Sequence, residues 1–423
     1  MRYGESVVVR GMSALVLVGL TVCALGCSSG GSGTNPPPVS GANVVALTVD
    51  GGPPGLPFNN GNVAFASLTV CVPGSTSQCQ PIDHLLVDTG SFGLRLLSSA
   101  SGGEFSLTTV PLPQEMNAGN PVGECVQYLT PAFTWGSVRT ADVKTSGGEV
   151  ASSIPVNVIG DTSFNPVPTS ATNPTNPCAT GGDADSLLGL GANGILGVGP
   201  IAEDCPACAT QVIPATYYSC PTPITTQCTG STIPLAQQVS NPVASFATDN
   251  NGVVIEIGAL STPTGATSLS GQMLFGIGTQ SNNALGSAQV YQLDDFLSFT
   301  TTYKGKAYPG SFVDSGSNGI FFLDSTTTGL PLCSSNSPGF YCPSSTQQFT
   351  AANMGTNMTS PGANVMFNAI NVDNLALGVS AFDGTGPQTG DFDWGMPFFF
   401  GRTVYSAIFG KSAPGGTPPY VAY

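Results

Sequence analysis

One short pattern occurs twice in this chain and sets most of what it can fold into. Leu85-Leu86-Val87 runs into Asp88-Thr89-Gly90-Ser91, and Ser311-Phe312-Val313 runs into Asp314-Ser315-Gly316-Ser317. In both copies an apolar run buries the approach, a carboxylate stands where the strand ends, and a glycine lets the chain turn tightly. The hydroxyls of Thr89, Ser91, Ser315 and Ser317 can donate hydrogen bonds to the acids and to a facing loop. Repetition at this range predicts two similar halves, each supplying one carboxylate. If the two turns meet, both acids cannot ionise together. One proton is then shared, so that one group serves as base and the other as acid. A lone Asp-Gly step is most simply a β-turn; two intact copies argue against that reading.

The remaining composition narrows the class. Of 423 residues, 55 are Gly and 35 Pro, which disfavours helices and suits strands joined by many turns. Apolar residues make up 41%, enough for a core, while charged residues are only 8%. A net charge of −15 with nine Lys and Arg excludes a nucleic-acid partner, because nothing could neutralise a run of phosphates. The single histidine, His84, excludes a His-based metal cluster and a Ser-His-Asp triad. Neither a metal nor a cofactor is expected. The runs Val44–Val49, Val63–Val72, Leu85–Val87, Val253–Ile257 and Met273–Ile277 are predicted strands, each bounded by turn residues. Leu235–Phe246 is the best helix candidate, behind Pro234 and interrupted by Pro242. Gly160–Asp185 reads as a long surface loop.

The N-terminus reads as an export signal. Arg2 and Arg10 precede the short apolar run Met12–Leu25, which ends in Ala24-Leu25-Gly26-Cys27. Residues 1–27 are therefore expected to be a signal peptide whose end is similar to a bacterial lipoprotein signal, with Cys27 the lipidated residue. Residues 28–41 form a Gly/Ser/Pro tether. The protein is expected in the cell envelope, at the outer membrane or in the periplasm, or else secreted. With Cys23 and Cys27 set aside, Cys71, Cys79, Cys125, Cys178, Cys205, Cys208, Cys220, Cys228, Cys333 and Cys342 remain. An even number in an exported chain reads as disulfides. Short spacings suggest Cys71–Cys79, Cys220–Cys228 and Cys333–Cys342, leaving Cys125–Cys178 and Cys205–Cys208. A zinc site from Cys205, Cys208, Cys220 and Cys228 is the rival reading, disfavoured by an oxidising compartment.

The two motifs and the segments around them resemble the two-lobed, pepsin-like aspartic proteases, in a distant bacterial exported branch of uncharacterised proteins. Asp83–Leu97 follows that family's first catalytic segment, with Arg95 where tryptophan is common. Asn193–Gly199 resembles the hydrophobic-hydrophobic-Gly segment crossing behind the first loop. Met273–Ile277 resembles the strand opening the second lobe, and Phe398–Phe409 the segment behind the second loop with the closing strand. The resemblance implies an all-β fold with a cleft between lobes 42–255 and 256–423. It implies Asp88 and Asp314 as catalytic pair, Thr89 and Ser315 holding the loops together, and Ser91 and Ser317 supporting the carboxylates. Gly90 and Gly316 would make the turns possible. Tyr128, or Trp135 in its place, would belong to a flap hairpin; ordinary strand packing is the plain alternative for both.

Other conspicuous residues read more plainly. His84 is expected to be a hydrogen-bonded strand residue rather than a base. Asp383, Asp391 and Asp393 lack calcium-loop spacing and read as solvated turn acids. Trp394 and Phe398–Phe400 read as core. The expectation is a monomeric, exported aspartic endopeptidase acting on peptide or protein substrates, favoured by acid pH, and touching a membrane only through its lipid anchor. The alternative is a catalytically weak or silent cell-envelope binding protein on the same fold.

Overall fold

The computed structural model describes residues 41–128, 132–169, 177–178, 181–222, 228–334 and 337–423. The export signal, Cys27 and nearly all of the tether lie outside the described residues, as do positions 129–131 beside Tyr128. The protein is all-β: the only α-helices among the described residues are Leu187–Leu190 and Ser325–Thr328. No described helix is long and apolar enough to cross a membrane.

Both Asp motifs sit in the same strand arrangement. The strand Cys79–Asp88 runs parallel to Gly194–Val198, which pairs antiparallel with Phe92–Leu97. Phe92–Leu97 in turn runs parallel to Val150–Ile159. In the second half, Lys306–Val313 runs parallel to Phe392–Trp394, which pairs antiparallel with Ile320–Phe322. Ile320–Phe322 runs parallel to Thr385–Gly386. Strands in the middle of such layers are covered on both faces and carry no polar alternation. Phe92–Leu97, Gly194–Val198 and Ile320–Phe322 are buried at every position.

The sheet of the first motif continues into a ladder that draws on strands from early and late in the chain. Val290–Gln292, Tyr420–Ala422, Thr403–Ala407, Gly252–Ile257, Leu269–Phe275 and Val44–Val49 pair antiparallel in that order. Val44–Val49 then meets Ala64–Cys71 of the first half. Each predicted strand overlaps an observed one, although Val63–Val72 overruns Ala64–Cys71 by one residue at each end and Met273–Ile277 runs two residues past Leu269–Phe275. The packing core of the second half is aromatic: Phe367 lies edge-on to Phe322 at 4.9 Å and to Trp394 at 5.4 Å between ring centroids. Trp394 and Phe398–Phe400 are core, as their composition suggested.

Three local expectations need correcting. Leu235–Phe246 is not a helix but two 3₁₀ turns, Leu235–Gln237 and Pro242–Ser245. Pro242 has no N–H to give and holds Asn241 extended, so helical bonding cannot pass through. The segment behind the second Asp loop is Phe392–Trp394, not Phe398–Phe409; Met396–Phe399 is a 3₁₀ turn and Thr403–Ala407 belongs to the shared ladder. Finally, Asp393 is wholly buried rather than a solvated turn acid.

All five cysteine pairs are disulfides: Cys71–Cys79, Cys125–Cys178, Cys205–Cys208, Cys220–Cys228 and Cys333–Cys342. The zinc alternative falls because each of its four sulfurs is spent in a disulfide. Disulfides persist in oxidising compartments, so this pattern is consistent with export.

Candidate functional site

The two strand ends bring Asp88 and Asp314 together, and their loops grip each other reciprocally. The Thr89 backbone N–H donates to Ser315 Oγ at 3.0 Å, and the Ser315 N–H donates to Thr89 Oγ1 at 2.9 Å. Each hydroxyl also donates across the junction, Ser315 Oγ to the Val87 carbonyl at 2.8 Å and Thr89 Oγ1 to the Val313 carbonyl at 3.4 Å. Every group in this exchange is buried, where an unmade hydrogen bond is costly. The four bonds therefore fix one loop against the other.

The glycines matter for closeness rather than for turning. Neither Gly90 nor Gly316 adopts a positive φ. A Cβ on Gly90 would stand 2.5 Å from Asp314 Cγ, and one on Gly316 would stand 2.6 Å from Asp88 Oδ1. Each glycine is thus the face on which the opposite carboxyl rests, and any side chain there would push it away.

Inside this frame the acids are nearly symmetric. Asp88 Oδ1 accepts from the Gly90 N–H at 2.8 Å, and Asp314 Oδ1 accepts from the Gly316 N–H at 2.8 Å. Ser91 Oγ donates to Asp88 Oδ2, and Ser317 Oγ lies 3.1 Å from Asp314 Oδ2. Burial, the Asp88 charge and then the Asp393 charge push Asp314 well above the usual carboxylate range, and it is hydrogen-bonded to Asp88. A hydrogen bond between two carboxyls requires a proton on one of them, so the pair holds a base and an acid side by side. Such a pair can take a proton from water and give one to a carbonyl oxygen.

Asp393 is the residue sequence reasoning missed. Its Oδ2 lies 2.6 Å from Ser317 Oγ, placing a third carboxyl one hydroxyl away from Asp314. The signal was present: Phe392-Asp393-Trp394-Gly395 is an apolar-flanked stretch ending in Gly, as Asn193–Gly199 is, with an acid inside it.

The other singled-out residues serve structure. Asn120–Gln127 and Ala132–Lys144 form a hairpin with Tyr128 at its end, but the ring is buried and its hydroxyl sits 3.0 Å from Thr134 Oγ1. Trp135 packs inward, donating from Nε1 to the Phe164 carbonyl at 2.7 Å and meeting Tyr218 edge-on. Arg95, wholly buried, binds Glu124 at 2.5 Å and Asp204 at 2.8 Å, which explains how a cation replaces an aromatic on this strand. His84 sits in its strand between Asp50 and Asp83, as expected of a hydrogen-bonded strand residue.

Fold and site together define an all-β chain whose two halves present paired aspartate turns locked face to face. The chain belongs to the family described as protein of unknown function (DUF3443), whose model matches residues 39–423. No curated protein matches it.

Proposed function

We propose that this protein is an exported aspartic endopeptidase with the two-lobed, pepsin-like architecture, its cleft lying between the halves that carry Asp88 and Asp314. The observation that carries this reading is the reciprocal Thr89–Ser315 exchange, which holds two buried carboxyls within hydrogen-bond reach of each other. A water held between them loses a proton to the ionised carboxylate as its oxygen bonds the peptide carbonyl carbon. The protonated carboxyl gives its proton to the carbonyl oxygen. As the resulting diol collapses and the C–N bond breaks, one diol hydroxyl returns its proton to the carboxyl that gave one, and the proton held by the base passes to the leaving amine. No covalent enzyme intermediate forms. One shared proton is required, so activity is favoured in acid. An extended peptide adding backbone bonds to strand edges is the fitting substrate. Anchoring through Cys27 and action as a monomer belong to the same proposal.

A silent binding protein on the same fold is the second reading, favoured by one observation: both carboxyls are fully enclosed in this conformation. The two separate cleanly. The exported protein, with its disulfides formed, is incubated with a peptide library from about pH 3 to 7, alone, with a statine-type inhibitor, and as Asp314→Asn. Cleavage that peaks in acid and disappears in both controls supports the endopeptidase. Folded protein that cuts nothing, including denatured substrates, supports the binding protein.

A further inference from the structure

We infer that Asp393 is a third member of the acid site, a positioning residue that claims the Ser317 hydroxyl and so makes Asp314 the proton-bearing acid and Asp88 the base. The inference rests on the endopeptidase reading for its catalytic consequence. It rests on geometry alone for the proton arrangement.

A serine hydroxyl has one hydrogen to give. Ser91 gives its hydrogen to Asp88. Ser317 stands between two carboxyls, 2.6 Å from Asp393 Oδ2 and 3.1 Å from Asp314 Oδ2. The shorter contact takes the hydrogen. Asp314 is left with the Gly316 N–H, while Asp88 keeps both the Gly90 N–H and the Ser91 hydroxyl. Donors to a carboxylate favour its ionised form, so Asp314, the poorer supplied of the pair, is the one that retains the shared proton. The negative charge of Asp393, buried beside Asp314, acts in the same direction.

Asp393 faces Phe312 on one neighbouring strand and Phe321 on the other. Ile320–Phe322 carries no titratable group. On Lys306–Val313, Lys306 is exposed and lies six residues from Phe312, about 20 Å along the strand; Tyr308 lies about 13 Å away. Among the acids of the same region, Asp383 accepts from Asn368 and Asp391 accepts from Gln388. Among these acids, Asp314 is the one held well above the usual carboxylate range, by burial and then by the Asp88 and Asp393 charges. The Asp88 and Asp393 charges both make Asp314 hold its proton to higher pH, so the working range lies closer to neutral than a bare pair would allow.

The test is Asp393→Asn. The amide keeps the shape, can donate to Ser317 Oγ, and so frees the Ser317 hydrogen for Asp314 while removing the charge. Two readouts are taken on the exported protein: the pH profile of kcat/KM for a cleaved peptide, and the unfolding midpoint from about pH 4 to 7. The expected result is a profile displaced to lower pH by about one unit, roughly a tenfold loss at the neutral edge, with kcat at the new optimum little changed. Asp391→Asn, an acid on the same side that does not touch Ser317, leaves the profile in place. In unfolding, a carboxyl whose native pKa is raised costs stability as pH climbs from its unfolded value toward the native one. The fall in stability over that window is expected to be shallower in Asp393→Asn. Superimposable profiles and equal falls overturn the inference. If no peptide is cut but the fall still flattens, the endopeptidase reading fails and the three-acid arrangement stands.

Discussion

Replacing Ser315 by alanine removes one oxygen and strands two backbone groups. Ser315 Oγ accepts the Thr89 N–H at 3.0 Å and donates to the Val87 carbonyl at 2.8 Å, both in buried surroundings. A buried polar group left without a partner costs about 1–3 kcal/mol. Two of them, allowing some relaxation of the loops, should cost about 2–4 kcal/mol. Thr89→Val removes the acceptor of the Ser315 N–H and a weaker donor to Val313 at 3.4 Å, so its cost should be lower, about 1–3 kcal/mol. The two changes act on one junction. Once either anchor is gone the loops can part, and the second loss then costs less. The double variant should fall short of the sum by about 0.5–2 kcal/mol. Urea unfolding of the four proteins with disulfides intact measures all three quantities. Single costs below about 0.5 kcal/mol, or strict additivity, would refute the claim that this exchange locks the two Asp loops.

Three further outcomes follow from the packing and charges. Gly316→Ala places a Cβ 2.6 Å from Asp88 Oδ1 and should cost about 1–3 kcal/mol in urea unfolding, with any peptidase activity lost alongside. The hydrogen bond to Asp50 chiefly raises the His84 pKa. Its stabilising contribution is therefore complete below the unfolded value near 6.5 and lost as pH rises through the native one; His84→Asn, which tolerates the φ of 47°, should abolish that step in unfolding midpoints. Arg95→Met leaves Glu124 and Asp204 buried without their cation and should destabilise by about 3–5 kcal/mol; a loss under 1 kcal/mol would mean that the carboxyls neutralise instead.

The parts legible in sequence were those written as contiguous chemistry. The two Asp motifs needed no partner to be recognised, and neither did the strands, whose turn residues bracket β-branched runs. Three of the cysteine pairings were readable because eight or nine residues separate the partners. What failed depended on which neighbour a segment finds. Phe398–Phe400 and Phe392–Trp394 are both aromatic and both precede a glycine, and only pairing with Lys306–Val313 tells them apart. Asp393 looked solvated because acids usually are; its burial follows from lying between Phe312 and Phe321. Gly90 and Gly316 looked like turn formers, while their real constraint is a carboxyl on another strand.

The ladder that joins the two ends of the chain also sets the order in which the molecule can be finished. Val44–Val49 is synthesised early, yet its long partner is Leu269–Phe275, and the ladder also needs the late Tyr420–Ala422. Pairings so distant must meet the entropy of closing large loops before they gain anything, which makes folding slow. Until Leu269–Phe275 arrives, one edge of Val44–Val49 stays open to any passing strand, and an emerging chain of this kind is exposed to aggregation. Protection of that open edge during synthesis, rather than native stability, then governs how much folded protein is obtained.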